Sequence, residues 1–402
     1  MVLQLNPGDR FDKFEILSVA RKYDGSWVYR CNAEGFDHPV AVRISLDPVQ
    51  AEETARRALR EITVLEELTN NHVIRVFDSG MGGNDHWYIV MEALDGARLD
   101  HWHDFDRPMS APQAVGLVHQ ACLGLAEVHA RGVVHRDLKP ANLWVEPDGN
   151  LKIIDFASAR GFGAQALAGD NVTTQHVLVG TPQYAPPEQV YSSTLTTASD
   201  VYSLGVILYE LLSGHCPFWA DRTRAEIVQL LADDPVEWMN AHVKRPIIPL
   251  RQHEHCKDVP ENLADLLETC LAKKPEDRPK DAGVLANSLG WVLHHELGQM
   301  PVATLLVTDP GGGVAYRMVP PGAHRLGFGP GMDLRLRAEG DDVAWALLEW
   351  AGPPKQAELR VLDPGRTITI NGQPISPRAA INAGDEIALA GFGLRLTYPR
   401  EA

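Results

Sequence analysis

A chain of 402 residues is too long for one ordinary small core and about right for two or three domains. Apolar content of 45% and charged content of 22% exclude disorder as the default, and a formal charge of −16 disfavours nonspecific nucleic-acid binding, which needs clustered Lys and Arg. Five cysteines, Cys31, Cys122, Cys216, Cys256 and Cys270, lack a CxxC spacing and are odd in number, so a reducing compartment fits better than a disulfide framework.

The opening MVLQLNPGDRFDKFEIL has no basic start followed by an apolar run, so no signal peptide and a cytoplasmic location are expected. From about Phe11 to Tyr88, short apolar runs alternate with turn signals such as Tyr23-Asp24-Gly25, which predicts strands. One helix interrupts them, from Ala51 to Leu68, where Ala58, Ile62, Leu65 and Leu68 recur at helical spacing. Among the strands, HPVAVRIS (His38 to Ser45) carries a lone cation, Arg43, which needs an acidic partner or an anionic ligand.

Helical patterns dominate from Ala111 to about Gly298, beginning with APQAVGLVHQACLGLAEVHARG and Gly132 as its C-cap. The longest apolar stretch, VYSLGVILYELLSG from Val201, is interrupted and too short to span a bilayer. The loop around His253, His255 and Cys256, and the pair His101 and His103, read as solvated polar segments rather than metal sites. Beyond Met300, closely spaced DPGGG, PPG, GPG, DPG and NG turns predict an all-β sandwich ending near Tyr398. The expected fold class is α+β.

VVHRDLKPANLWV (Val133 to Val145) followed by LKIIDFASAR (Leu151 to Arg160) sets Asp137, Lys139, Asn142 and Asp155 on two nearby loops. Phosphoryl transfer needs such a set, a carboxylate to orient the attacking hydroxyl and oxygen ligands for Mg²⁺. With GTPQYAPPEQ from Gly180, SDVYSLGVILYELLSG from Ser199 and PEDRP around Arg278, the chain resembles the eukaryotic-like Ser/Thr protein kinases of bacteria over roughly residues 11 to 295. The resemblance implies a bilobal kinase domain over 1–295, with an N-lobe of about 11–93 and a C-lobe of about 94–295.

By that resemblance Asp137 is the catalytic base, Lys139 contacts the transferring phosphate, and Asn142 and Asp155 bind Mg²⁺ beside ATP. Glu188 pairs with Arg278, and Asp200 steadies the catalytic loop. Arg136 implies control by a phosphorylated activation segment, with Thr173, Thr174 and Thr181 as acceptors. Ala41, Met91, Ala93 and Trp144 fall at the nucleotide pocket. Trp144 would stack beneath the base, fill its pocket, or simply be a core residue.

Four departures accompany this match. Arg43 holds the position of the strand lysine, with Glu61 as the matching glutamate partner. The glycine-rich loop reads SVARKYDGSWV, with Gly25 its only glycine and two extra residues, so phosphate cover is poor. The DFG motif reads Asp155-Phe156-Ala157, and Trp144 replaces an aliphatic residue. With-no-lysine kinases supply their lysine from a neighbouring strand, which makes Lys22 a candidate replacement, beside the plainer reading of a solvated lysine in a turn.

RLGFGPGMDLRL from Arg325 and RTITINGQPISPRAAINAGDEIALAGFGLRL from Arg366 resemble a forkhead-associated (FHA) domain over 303–402, after a linker at 296–302. That family binds phosphothreonine through an arginine in a GR pair and a serine in an SxxH motif. These positions read Gly327-Phe328 and Ala344 with Leu347, so phosphothreonine binding is not expected, although Asn371 remains and Arg325 offers a displaced charge. The expected function is a pseudokinase or strongly impaired Ser/Thr kinase acting as a regulatory scaffold with a protein partner. An active Ser/Thr kinase and an ATP-binding sensor without turnover are the alternatives. No nucleic-acid partner and no membrane span are expected.

Overall fold

The computed structural model describes residues 3–23, 25–48, 66, 68, 70–83, 85–156, 160–161, 182–190, 195–299, 303–311, 314–319, 321–329, 332–337, 343–352, 355–363 and 365–397. The predicted helix at 51–68, with Glu61, and the threonines Thr173, Thr174 and Thr181 therefore lie outside the described residues, apart from two positions at the helix end.

The first lobe is a six-stranded sheet of β1 (Arg10–Phe11), β2 (Phe14–Tyr23), β3 (Ser26–Ala33), β4 (Val40–Ser45), β5 (Val76–Gly82) and β6 (His86–Glu92), ordered β1-β2-β3-β4-β6-β5. Alternation along β4 sends Val40, Val42 and Ile44 into a core with Phe14, Tyr29 and Val90, and leaves Ala41 and Arg43 on the opposite face. The two extra residues of β2 are absorbed as bulges, because Leu17 and Ala20 have no partner in the β3 register. Tyr23 pairs with Ser26, closing a tight hairpin in which Gly25 has φ +79°.

The second lobe starts with β7 (Ala97–Arg98) and the short α1 (Leu99–Trp102), followed by α2 (Ala111–Ala130), which stops where Gly132 takes φ +75°. Short strands β8 (Val133–Val134), β9 (Leu143–Val145), β10 (Leu151–Ile153) and β11 (Arg160–Gly161) form two small sheets, β10-β9-β7 and β11-β8. Helices α3 (Thr197–Ser213), α4 (Arg224–Leu230), α5 (Pro235–Lys244), α6 (Glu261–Cys270) and α7 (Ala282–His295) complete the lobe. Helix α3 is buried along nearly its whole length, as a helix apolar on all sides must be, and ends on Gly214 at φ +70°.

The turns around His253 and Cys256 correct the expectation of a solvated loop. They are two short 3-10 turns packed on α3, with His253 and Cys256 buried. Tyr209 Oη and His253 Nε2 are 2.7 Å apart, and Cys256 Sγ donates to the Leu212 carbonyl at 3.3 Å. Polar groups withdrawn from water must find such partners. Among the described residues, no cluster of three or more His, Cys, Asp or Glu is arranged for a metal.

The C-terminal region is all β. One sheet joins β12 (Ala303–Thr308), β13 (Val314–Val319), β18 (Ile368–Ile370), β19 (Gln373–Pro374), β21 (Ile387–Leu389) and β22 (Phe392–Thr397). The other joins β14 (Gly322–Phe328), β15 (Leu334–Arg337), β16 (Val343–Trp350), β17 (Ala357–Val361) and β20 (Arg378–Ile381). Alternate residues of both sheets, among them Leu305, Leu396, Leu348, Trp350 and Leu359, bury one shared core. Strand β13 lies against α2, where Arg317 Nη1 donates to the buried Glu127 Oε2 at 2.9 Å.

Candidate active site

The loop that carries Asp137 is shaped from beneath. Asp200, buried at the start of α3, accepts the backbone N–H of His135 at 2.8 Å and of Arg136 at 2.9 Å, with His129 Nε2 2.9 Å away. Burial pushes the Asp200 carboxyl up, but the His129 hydrogen bond and neighbouring imidazoles outweigh it and leave the pKa below its ordinary value. Its two oxygens thus hold Arg136 at φ +69°, a left-handed conformation costly for a residue with a Cβ.

Past that bend, Asp137 Oδ2 lies 2.8 Å from Lys139 Nζ and accepts from Asn142 Nδ2 at 3.1 Å, while the same Nδ2 donates to the Asp137 carbonyl at 2.8 Å. Asn142 is fully buried, and among the described residues its Oδ1 has no hydrogen-bond partner. A buried carboxamide oxygen facing no donor is costly, and fits a ligand position for a hard cation. Asp155, at φ +63°, follows Ile154, whose backbone N–H donates to the Asn142 carbonyl at 2.9 Å. Phe156 packs its ring 4.7 Å from that of His135.

Arg43 reaches Asp155 from the roof: Nη1 donates to Asp155 Oδ1 at 2.7 Å and Nε donates to Ser26 Oγ at 2.8 Å. Its guanidinium also lies 4.4 Å from the Tyr23 ring. The cation therefore has an acidic partner, namely the expected metal ligand; its expected partner Glu61 lies outside the described residues.

Between the lobes is a cavity of about 450 Å³. Ala41 and Met91, adjacent in the sheet, line it with Ala93 and Trp144, and Arg43 and Asp155 form its polar end. Trp144 lines the cavity without filling it, anchored by its indole N–H, which donates to the Asp95 carbonyl at 2.8 Å. The connecting segment demands glycine at Gly96, where φ is +107° and a Cβ would fall 2.2 Å from the Val145 carbonyl oxygen.

Lys22 does not join this group. It is exposed, with Nζ 4.4 Å over the Trp27 ring, and its neighbours Arg21 and Tyr23 line the cavity instead. Sequence reasoning missed both. The sequence signalled only that two surplus residues had to be absorbed on the strand; that one of them is Ala20 is known from the register.

One distant pairing braces the lobe. Arg278 grips Glu188 through Nη1 at 2.9 Å and Nη2 at 2.8 Å, both side chains being buried.

The protein kinase domain family matches residues 24–289. The chain belongs to the protein kinase family. It is 35% identical to the Serine/threonine-protein kinase PknB of Mycolicibacterium smegmatis over 257 residues, which cover 63% of this chain and 38% of that protein. It is 33% identical to the Serine/threonine-protein kinase PknL of Mycobacterium tuberculosis over 258 residues, covering 64% of this chain and 60% of that one. The match thus spans about two to three fifths of the length of these curated relatives. A crystal structure of the Mycobacterium tuberculosis PknI kinase domain is similar in fold, with a TM-score of 0.51 and 22% identity, over 71% of this chain and 98% of that one. No helix among the described residues of this kinase-family chain is long and apolar enough to cross a membrane.

In the C-terminal sandwich, Phe328, at the position where the FHA resemblance would expect an arginine, packs between Trp345 and Phe392, each ring 5.7 Å away. Arg325 turns to Asp333, its backbone N–H donating to Oδ2 at 2.8 Å. Both ends of the Asn371 carboxamide are occupied: Nδ2 donates to Asp385 Oδ1 at 2.8 Å and Oδ1 accepts the Glu386 N–H at 2.9 Å. The side chain closes a turn.

Proposed function

We propose that this chain is an ATP-dependent Ser/Thr protein phosphotransferase of attenuated rate, joined to an FHA-like module that binds a protein partner without reading phosphothreonine. The observation that carries the reading is Asn142: its Nδ2 holds the base Asp137, and its buried Oδ1 has no hydrogen-bond partner among the described residues.

Asp137 orients the acceptor hydroxyl and takes its proton through the carboxylate that Lys139 and Asn142 fix in place. Lys139 lies where it would follow the charge on the moving phosphoryl group. Asn142 and Asp155 would hold Mg²⁺, which would supply positive charge to offset the charge developing on the transferring phosphate. Ala41, Met91, Ala93 and Trp144 would sandwich the adenine.

The attenuation follows from Arg43. Its fork is planar and rigid, and here one arm covers an oxygen that a metal would use. That arm must swing away before Asp155 is available, and small misplacements in phosphoryl transfer cost rate steeply. A scaffold role has one supporting observation of its own, the attachment of β13 to α2 through Arg317 and Glu127, which ties a non-catalytic module to the kinase body. A cytoplasmic site of action is part of the reading, supported by five free, buried cysteines.

Phosphate transfer from labelled ATP with Mg²⁺ or Mn²⁺, to itself and to a generic basic protein, tests the reading against Asp137→Asn. Transfer that vanishes in the variant supports the phosphotransferase. Transfer no greater than in the variant refutes it; ATP-dependent thermal stabilisation would then assign a sensor, and its absence a scaffold.

A further inference from the structure

The cleft contains a cation that the proposed mechanism leaves without a task. Arg21 follows the bulge at Ala20, which aims its side chain under the sheet into the cavity and sends Lys22 outward. Its guanidinium carbon lies 4.3 Å from the Tyr23 ring, the same ring that Arg43 approaches at 4.4 Å. Across the cleft, Nη1 donates to the Ala141 carbonyl at 3.3 Å, one residue before Asn142.

Arg21 is half-buried, and among the described residues it has no carboxylate partner. A guanidinium carries five N–H donors, and one backbone carbonyl satisfies little of that capacity. Burial pulls its pKa below the ordinary arginine value and Arg98 adds to this, although the charges of Asp155 and Asp100 oppose it from a distance. Its surroundings indicate what would supply a nearer counter-charge. Ala141 adjoins the metal-ligand position Asn142, and Tyr23 adjoins Arg43, so Arg21 is bracketed by groups that would border the phosphates.

We propose that Arg21 is a phosphate-positioning residue which, with Arg43 and the intervening Tyr23, replaces the missing glycine-rich backbone by a two-guanidinium clamp on the terminal phosphates of a nucleoside triphosphate. This rests on the reading of the cavity as an ATP site. Planar forks match phosphate geometry bidentately, so two of them give the register that successive backbone N–H groups give elsewhere. Because Arg21 also bonds Ala141, the clamp ties the roof of the cleft to the catalytic loop.

Equilibrium binding of ATP, ADP and adenosine to the full chain, compared with Arg21→Ala and Arg21→Lys, tests the clamp. Arg21→Ala should bind ATP about tenfold to a hundredfold more weakly, as expected for loss of a charge-assisted bond. Adenosine affinity should stay within about twofold, and Arg21→Lys should recover part of the loss. Equal loss for ATP and adenosine would make Arg21 a structural strut and overturn the clamp. Unchanged ATP affinity would overturn it too, while leaving the ATP site standing. A wild-type chain that binds adenosine and ATP equally well would also refute it, and one that binds neither would remove the ATP site and the clamp together.

Discussion

Arg43 and Asp155 meet at 2.7 Å across the mouth of the cleft, so the one cation on the roof strand is paired with the expected metal ligand. Both side chains are largely buried, and a charge pair so placed is hard to break without a replacement for each member. Nucleotide phosphate for Arg43 and Mg²⁺ for Asp155 are such replacements. Arg43→Lys should therefore raise the transfer rate about tenfold or more, because a flexible ammonium yields Asp155 more easily than a rigid fork does. Arg43→Met should weaken ATP binding. Single-turnover transfer measured beside ATP affinity checks both, and a lysine variant no faster than wild type would remove Arg43 as the cause of attenuation.

Glu127 is 1% exposed and sits at the junction of three segments. It accepts from Arg317 at 2.9 Å and from Asn70 Nδ2 at 3.0 Å, with Arg131 at 3.6 Å. Arg317→Ala removes one of these partners and leaves the others, so it should cost about 1–3 kcal/mol rather than unfold the lobe. The sandwich should come away from α2 more often, seen as faster proteolytic cleavage between lobe and sandwich with the two fragments still folded. Cleavage at the wild-type rate would show that Arg317 does not hold the modules together.

The difference between what the chain's letters disclosed and what they hid lies in sequence distance and strand register. HRDLKPAN is contiguous, so the sequence alone puts Asp137, Lys139 and Asn142 together. Alternation on β4 likewise put Arg43 on the cleft face. One unpaired residue on β2, Ala20, reverses which side chains face inward, and nothing in the letters says where a surplus residue is absorbed. Hence Lys22 drew attention and Arg21 did not. Arg317 and Glu127 meet across 190 positions, a pairing no local pattern encodes. Asn371 was legible as a turn residue, but its ties to Asp385 and Glu386 depend on where β21 returns.

Arg278 is wholly satisfied: besides Glu188 it donates to the carbonyls of Ala272, Ala198 and Lys273, and it lies 4.6 Å over the Tyr202 ring. Arg278→Leu strands Glu188 as an unpaired buried carboxylate and should cost about 3–5 kcal/mol. Adding Glu188→Leu should recover part of that loss, because two apolar groups leave no charge stranded. Urea midpoints of the two single variants and the double variant measure the coupling. Purely additive losses would mean that the pair contributes nothing beyond its separate contacts.

Acid should destabilise the chain before its carboxylates titrate. Burial lowers the pKa of His72 to about 4, of His119 to about 4 and of His242 to about 3, with Lys152 opposing charge on the first, His72 on the second and Lys273 on the third. In the unfolded chain each returns to its ordinary value near 6.5. Between these limits the unfolded state binds more protons, so stability rises with pH and is lost as pH falls from about 6.5 toward 4. Each histidine adds about 1.4 kcal/mol per pH unit to that slope. His242 is the cleanest to test, since Nε2 lies 2.9 Å from the Gln183 carbonyl and Nδ1 lies 2.8 Å from Tyr202 Oη, an arrangement suited to the neutral ring. His242→Gln should flatten the stability profile between about pH 6.5 and 5 by about one histidine's slope, whatever its effect at pH 7. Urea unfolding at several pH values reads the slope directly, and an unchanged slope would mean that His242 does not enter the fold uncharged.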